Sequence, residues 1–197
     1  MKTLLEIYNK FYDPKTGWPD KGTVHSYIEV YEEILAPYRK TAHNILEIGL
    51  MSGGSLRMWD EYFKGEVFGI DCSIKPIDGK ADLTKAIEDG LYISIGDASN
   101  PNDIFRFYNG LKFDVIIEDA GHSMEQQISI YQTLGAYLAE GGVYIIEDVQ
   151  DIDKDENILR AYINSVSGGW KKDKPRIEVI DRRKIKGRYD DVLISIQ

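Results

Sequence analysis

Asn44–Ile45–Leu46–Glu47–Ile48–Gly49, continued by Leu50–Met51–Ser52–Gly53–Gly54–Ser55, is a short apolar run that ends in glycine and turns through a second pair of glycines. Leu56, Trp59 and Phe63 then recur at helical spacing over Ser55–Phe63. The stretch therefore reads as strand, tight glycine loop and helix. Four more strands follow it. They are Glu66–Asp71, Leu91–Ile95, Phe113–Asp119 and Val143–Asp148. Helices are expected between them, at Lys80–Glu88, from Pro101 to about Tyr108 behind an Asn100 cap, and across Met124, Ile128, Tyr131, Leu134 and Leu138. Ser123 and Gln126 have capping-box spacing at the start of that last helix, and Gly141–Gly142 are expected to end it. The strands are too uniformly apolar to be half exposed, which predicts a parallel sheet with helices on both faces. Two further strands, Arg176–Asp181 and Tyr189–Ile196, flank a basic turn with Gly187 and read as an antiparallel hairpin. Upstream, two helices surround the turn-rich loop Asp13–Asp20. The second, Val24–Tyr38, carries Tyr27, Val30, Tyr31, Ile34 and Leu35 on one face.

The 197 residues are 43% apolar, enough for one domain with a substantial core, and 13 Tyr, 6 Phe and 3 Trp argue against disorder. Residues 1–43 are expected as a helical lid, 44–150 as the binding core and 151–197 as a helix and hairpin. The formal charge is −9, from 33 acids against 24 bases, so a general nucleic-acid binder is not expected. Nine Lys or Arg between Lys171 and Arg188 read as a solvated hairpin face. One cysteine, Cys72, excludes an internal disulfide and fits a reducing compartment. Apolar runs are short and Glu6 interrupts the first, so neither a membrane span nor a signal peptide is read, and a cytoplasmic protein is expected.

In a sheet of this kind, ligands sit outside the carboxyl ends of the strands. The first strand ends in Gly49 and a loop with Ser52, Gly53 and Ser55, where the backbone can approach a ligand closely. The spacing is neither that of a dinucleotide fingerprint nor that of a Walker A loop. Asp71 ends the second strand and can accept hydrogen bonds from ribose hydroxyls; Asp97–Ala98 follow the third. The fourth ends Glu118–Asp119–Ala120–Gly121–His122 and the fifth Glu147–Asp148. Alternation lets one of Glu118 and Asp119 face the crevice, and Asp119 is the expected one. Crowded carboxylates need a shared cation, and hard oxygen ligands suit Mg²⁺, Mn²⁺ or Ca²⁺. His122 is placed to take a proton, because imidazole titrates near neutral pH.

The glycine loop, the acid on strand two and the Gly-Asp after strand three resemble class I S-adenosylmethionine-dependent methyltransferases. Asp20–Glu32, Asn44–Phe63, Gly69–Cys72, Ile116–Ser123, Gly141–Gln150 and the tail Lys186–Asp191 are together similar to the metal-dependent sugar O-methyltransferases of the macrocin, mycinamicin and rhamnosyl type. The resemblance implies a Rossmann-like fold with a mostly parallel seven-stranded sheet, S-adenosylmethionine as donor, Mg²⁺ or Mn²⁺, and a sugar or glycoside acceptor, in a monomer or homodimer. Asp119, Glu147 and Asp148 match the family's metal-binding acids and His122 its general base. Gly49, Ser52, Gly53, Ser55, Asp71, Asp97 and Ala98 fall to the donor. His25 or Tyr27 is implied near the methionine moiety, and Glu47 either anchors the donor or supports the base. Two other functions share these residues, a catechol-like phenolic O-methyltransferase and a donor-binding subunit without catalysis.

Overall fold

In the computed structural model, which describes residues 1–75, 82–150, 152–167, 169 and 173–197, the strands are β1 (Asn44–Ile48), β2 (Glu66–Asp71), β3 (Tyr92–Ile95), β4 (Phe113–Glu118), β5 (Leu138–Ile146), β6 (Ile177–Asp181) and β7 (Val192–Ile196). They form one sheet in the order β3-β2-β1-β4-β5-β7-β6. The first five pair in parallel, and β7 runs antiparallel to both β5 and β6. From β1 the chain moves outward to β2 and β3, then returns to place β4 on the other side of β1. The topological switch point, where such sheets bind ligands, lies between β1 and β4.

Alternate strand residues face two separate cores. Ile45, Val115, Ile117 and Ile145 pack with α1 (Leu4–Phe11), α2 (Ile28–Leu35), α3 (Gly54–Tyr62) and the short α4 (Thr84–Glu88). Leu46, Ile48, Ile116, Tyr144 and Ile146 pack with α5 (Pro101–Tyr108), α6 (Met124–Leu134) and α7 (Ile152–Ser167). Burial on both faces explains the unbroken apolar runs. Helix starts follow local rules: the Asn100 side chain accepts from Asn102 N–H and that of Ser123 from Gln126 N–H.

Several boundaries differ from expectation. The helix through Met124 ends at Leu134, so Leu138 opens β5 and Gly141–Gly142 lie inside that strand. Leu138 to Val143 advances five positions while the paired Phe113 to Val115 advances two, and Gly141 at φ 76° absorbs the surplus as a bulge. The second helix covers only Ile28–Leu35, because the N–H groups of Thr23, Val24 and His25 all donate to Asp20 O in a tight turn before it. The basic connection between β6 and β7 contains α8 (Arg183–Lys186), ended by Gly187 at φ 73°. Lys80, at the start of an expected helix, and Lys171, in the basic stretch, lie outside the described residues. Among the described residues no helix is long and apolar enough to cross a membrane.

Candidate active site

Parallel ladder bonds continue one step past the strands and fix the loops that follow. Gly49 N–H donates to Ile70 O, Gly96 N–H to Asp71 O, Asp119 N–H to Ile48 O and Glu147 N–H to Glu118 O. The ends of β1, β2, β4 and β5 are thereby held in line. Gly49 sits at φ 84°, and a Cβ there would stand 2.1 Å from Asp119 O. Only glycine allows this approach. Gly49→Ala is therefore expected to destabilise the fold by about 2 kcal/mol or more, read as a fall in thermal midpoint; an unchanged midpoint would contradict the packing.

A cavity of about 550 Å³ opens at the switch point, with Gly49, Asp71, Asp97, Ala98 and Asp119 in its wall. Asp71 Oδ2 accepts from Leu50 N–H and its Oδ1 from Ser73 N–H, which orients the carboxylate and leaves lone pairs on both oxygens. Asp97 is oriented in the same way by the N–H and hydroxyl of Ser99. Ser52 and Ser55 line a smaller adjoining recess that also touches Asp119. Gly53 is the left-handed cap of α3 and packs against Ala86.

Asp119 also belongs to a second group. Single ligand atoms of Asp119, His122 and Asp148 all lie within 4.8 Å of one another. His122 Nε2 is 3.9 Å from Asp148 Oδ2, and the His122 side chain is 38% exposed. Asp148 takes φ 54°, unusual for a residue with a side chain, on the turn that follows β5. The Tyr27 hydroxyl donates to Asp148 Oδ1 at 2.7 Å, and His25 Nδ1 stands 3.2 Å from the same atom. Burial and then the charge of Asp119 push Asp148 up to about 8. Burial and then Asp119 likewise push Asp20 up to about 6. Glu118 is fully buried, and that burial, followed by the charge of Asp119, holds it well above the carboxylate range. Carboxylate oxygens of Asp119 and Asp148 that converge beside the His122 imidazole fit a divalent cation.

Glu147, which the resemblance groups with Asp119 and Asp148, lies deeper in the same cluster. Glu147 Oε1 accepts from Lys21 Nζ and from the Tyr31 hydroxyl, and Glu147 is only 2% exposed. Glu47, at 0% exposure, accepts from Trp59 Nε1 and lies 3.7 Å from Lys21 Nζ, away from the cavity wall. Burial pushes it up to about 7 against the pull of Lys21. Sequence reading missed Lys21 because a lysine in a turn-rich loop ordinarily marks surface. The spacing of Tyr27 and Tyr31 on a helical face signalled burial, and the acids their hydroxyls meet lie more than a hundred residues away. The first 43 residues thus supply part of the core, since Lys21, Tyr27 and Tyr31 are all buried.

No protein-family model matches the chain. Among characterised proteins it is 32% identical over 140 residues to the 8-demethyl-8-alpha-L-rhamnosyl tetracenomycin-C 2'-O-methyltransferase of Streptomyces olivaceus, covering 66% of this chain and 35% of that one. It is 29% identical over 157 residues to the demethylmacrocin O-methyltransferase of Streptomyces fradiae, covering 74% and 36%. The chain therefore spans about a third of the length of these relatives. In fold it matches the MycE methyltransferase of the mycinamycin biosynthetic pathway, a structure in complex with Mg, SAH and mycinamycin VI, at TM-score 0.66 and 20% identity over 100% of this chain and 54% of that one. Aeropyrum pernix fibrillarin, bound to S-adenosyl-L-methionine, matches at TM-score 0.60 and 18% identity over 82% and 68%. By sequence the chain is similar to named sugar O-methyltransferases over about two thirds of its length, and by architecture it shares the Rossmann-like fold of these methyltransferase structures.

Proposed function

We propose that this chain transfers the methyl group of S-adenosylmethionine to a hydroxyl of a sugar, with Mg²⁺ or Mn²⁺ bound in the acid cluster. The observation that carries the reading is the position of Asp119. It forms part of the wall of the switch-point cavity and part of the Asp119–His122–Asp148 group, so donor and acceptor sites adjoin at one residue. The sugar relatives and the Mg- and SAH-bound fold neighbour support the same reading.

Gly49 gives the donor close access to backbone, Asp71 receives its ribose hydroxyls, and Asp97 with Ala98 borders its base. Asp119 and Asp148 hold the ion. When bound, the ion would supply the positive charge that lowers the pKa of a coordinated hydroxyl. His122 Nε2, at the open edge of the group, takes the hydroxyl proton as the carbon–sulfur bond breaks and the carbon–oxygen bond forms. Correct placement of two reactants can supply roughly 7–11 kcal/mol. Residues 1–43 cover the acid cluster, and Glu47 acts as its outer partner through Lys21. The single domain works as a monomer or homodimer without nucleic acid, and the exposed Cys72 suits the reducing cytoplasm.

The test is a donor-consumption screen over deoxysugars, rhamnosides first, with Mg²⁺ or Mn²⁺. Formation of S-adenosylhomocysteine with a sugar is the expected result. Turnover confined to catechols, or donor binding with no turnover on any hydroxyl acceptor, would refute the sugar reading.

A further inference from the structure

Residues 20–27 lead into α2 and pass the acid cluster on the way. The Tyr27 hydroxyl donates to Asp148 Oδ1, and His25 Nδ1 stands 3.2 Å from the same atom. Inside the segment, three turn N–H groups converge on Asp20 O, and Tyr27 N–H donates to Lys21 O. The segment is also held by the far end of the chain. Lys186 Nζ, at the end of α8, donates to the carbonyls of Gly22, Thr23 and His25 at 2.7, 2.8 and 2.6 Å. Asp191 Oδ1 accepts from Ser26 N–H at 3.0 Å, and Asp190 O accepts from the Tyr27 hydroxyl at 3.1 Å. Gly187, at φ 73°, turns the chain just after Lys186, and Asp190 and Asp191 return to the same segment.

Lys186 differs from the basic residues around it. Arg182, Arg183 and Arg188 each pair with a carboxylate, whereas Lys186 meets three neutral carbonyls of one turn. Carbonyls of an irregular turn have no ladder to join, and an ammonium has three donors to give them. One side chain thus replaces the secondary structure that residues 22–25 lack. We propose that Lys186 is a positioning residue, a latch that holds residues 20–27 in place beside the acid cluster and so shapes the acceptor side of the site. The proposal rests on the reading of that cluster as the place of methyl transfer. It does not extend to the donor, because neither residues 20–27 nor the tail 182–191 line the switch-point cavity. Nor does it depend on how an ion is held, since none of the three acceptors is a side chain of the cluster.

Amide hydrogen exchange on the full chain, read by mass spectrometry, tests the latch without any need for turnover. Lys186→Met is expected to speed exchange within residues 20–27 by about tenfold or more, with β1 and β4 at parental rates. Lys186→Arg keeps a cationic donor and recovers most of the protection. Calorimetric affinity for S-adenosylmethionine stays near that of the parent in both variants. On a sugar acceptor, kcat/KM falls by about tenfold or more in Lys186→Met, because a displaced segment misplaces the acceptor, while KM for the donor does not move. Lys186→Gln takes the place of Lys186→Met if the latter does not fold, with the same opening expected. Parental exchange in residues 20–27 of the folded variant overturns the proposal. So does faster exchange spread equally over the sheet, or a matching loss of donor affinity. Absence of turnover by the parent on every sugar refutes the methyl-transfer reading, and exchange with donor binding still decides whether Lys186 holds the segment.

Discussion

Alanine in place of Asp119 is expected to abolish methyl transfer, a loss of about a hundredfold or more, while S-adenosylmethionine binding changes little. The asymmetry follows from position. Asp119 contributes one residue to a wall that Gly49, Asp71, Asp97 and Ala98 also build. To the acid cluster it contributes a carboxylate that both Lys21 and the Asp148 side depend on. Donor affinity by calorimetry and transfer by S-adenosylhomocysteine release give the two readouts. A parallel fall in both would mean that Asp119 supports the fold of the cavity rather than the chemistry. Thermal melting checks this, because removing Asp119 also leaves Lys21 short of one partner.

His122→Ala is expected to lower the rate on a sugar hydroxyl by roughly 10²- to 10⁴-fold, the usual contribution of a positioned base. Its side chain is the open edge of the cluster and is not needed to hold the sheet, so stability should change little. The same substitution should cost much less with a catechol, whose phenol ionises without help. Equal losses on both acceptors would remove His122 from proton transfer. A nitrogen coupling from His122 to bound Mn²⁺ would make it a ligand instead of a base.

The strand ends were legible in the sequence because each is marked by local chemistry. A glycine after Ile48, an acid at Asp71, Gly96–Asp97, and the paired acids after Ile117 and Ile146 all follow apolar runs whose burial has a single explanation. Asn100 and Ser123 likewise announced their helices through short-range hydrogen bonds. Gly141–Gly142 misled for a physical reason. Two glycines end helices more often than they bulge strands, and the bulge depends on pairing with β4, which no local pattern encodes. Lys21 was hidden for the same reason. Its partners Glu47, Asp119 and Glu147 belong to three different strand ends, and only the sheet order brings them together.

The central claim is methyl transfer to a sugar that needs a divalent ion at the switch-point acids. Its most direct test measures S-adenosylhomocysteine formation on a rhamnoside by chelator-treated protein before and after adding Mg²⁺ or Mn²⁺. The account predicts no product in the stripped protein, and product once the ion is restored. Full activity in the metal-free preparation would contradict it.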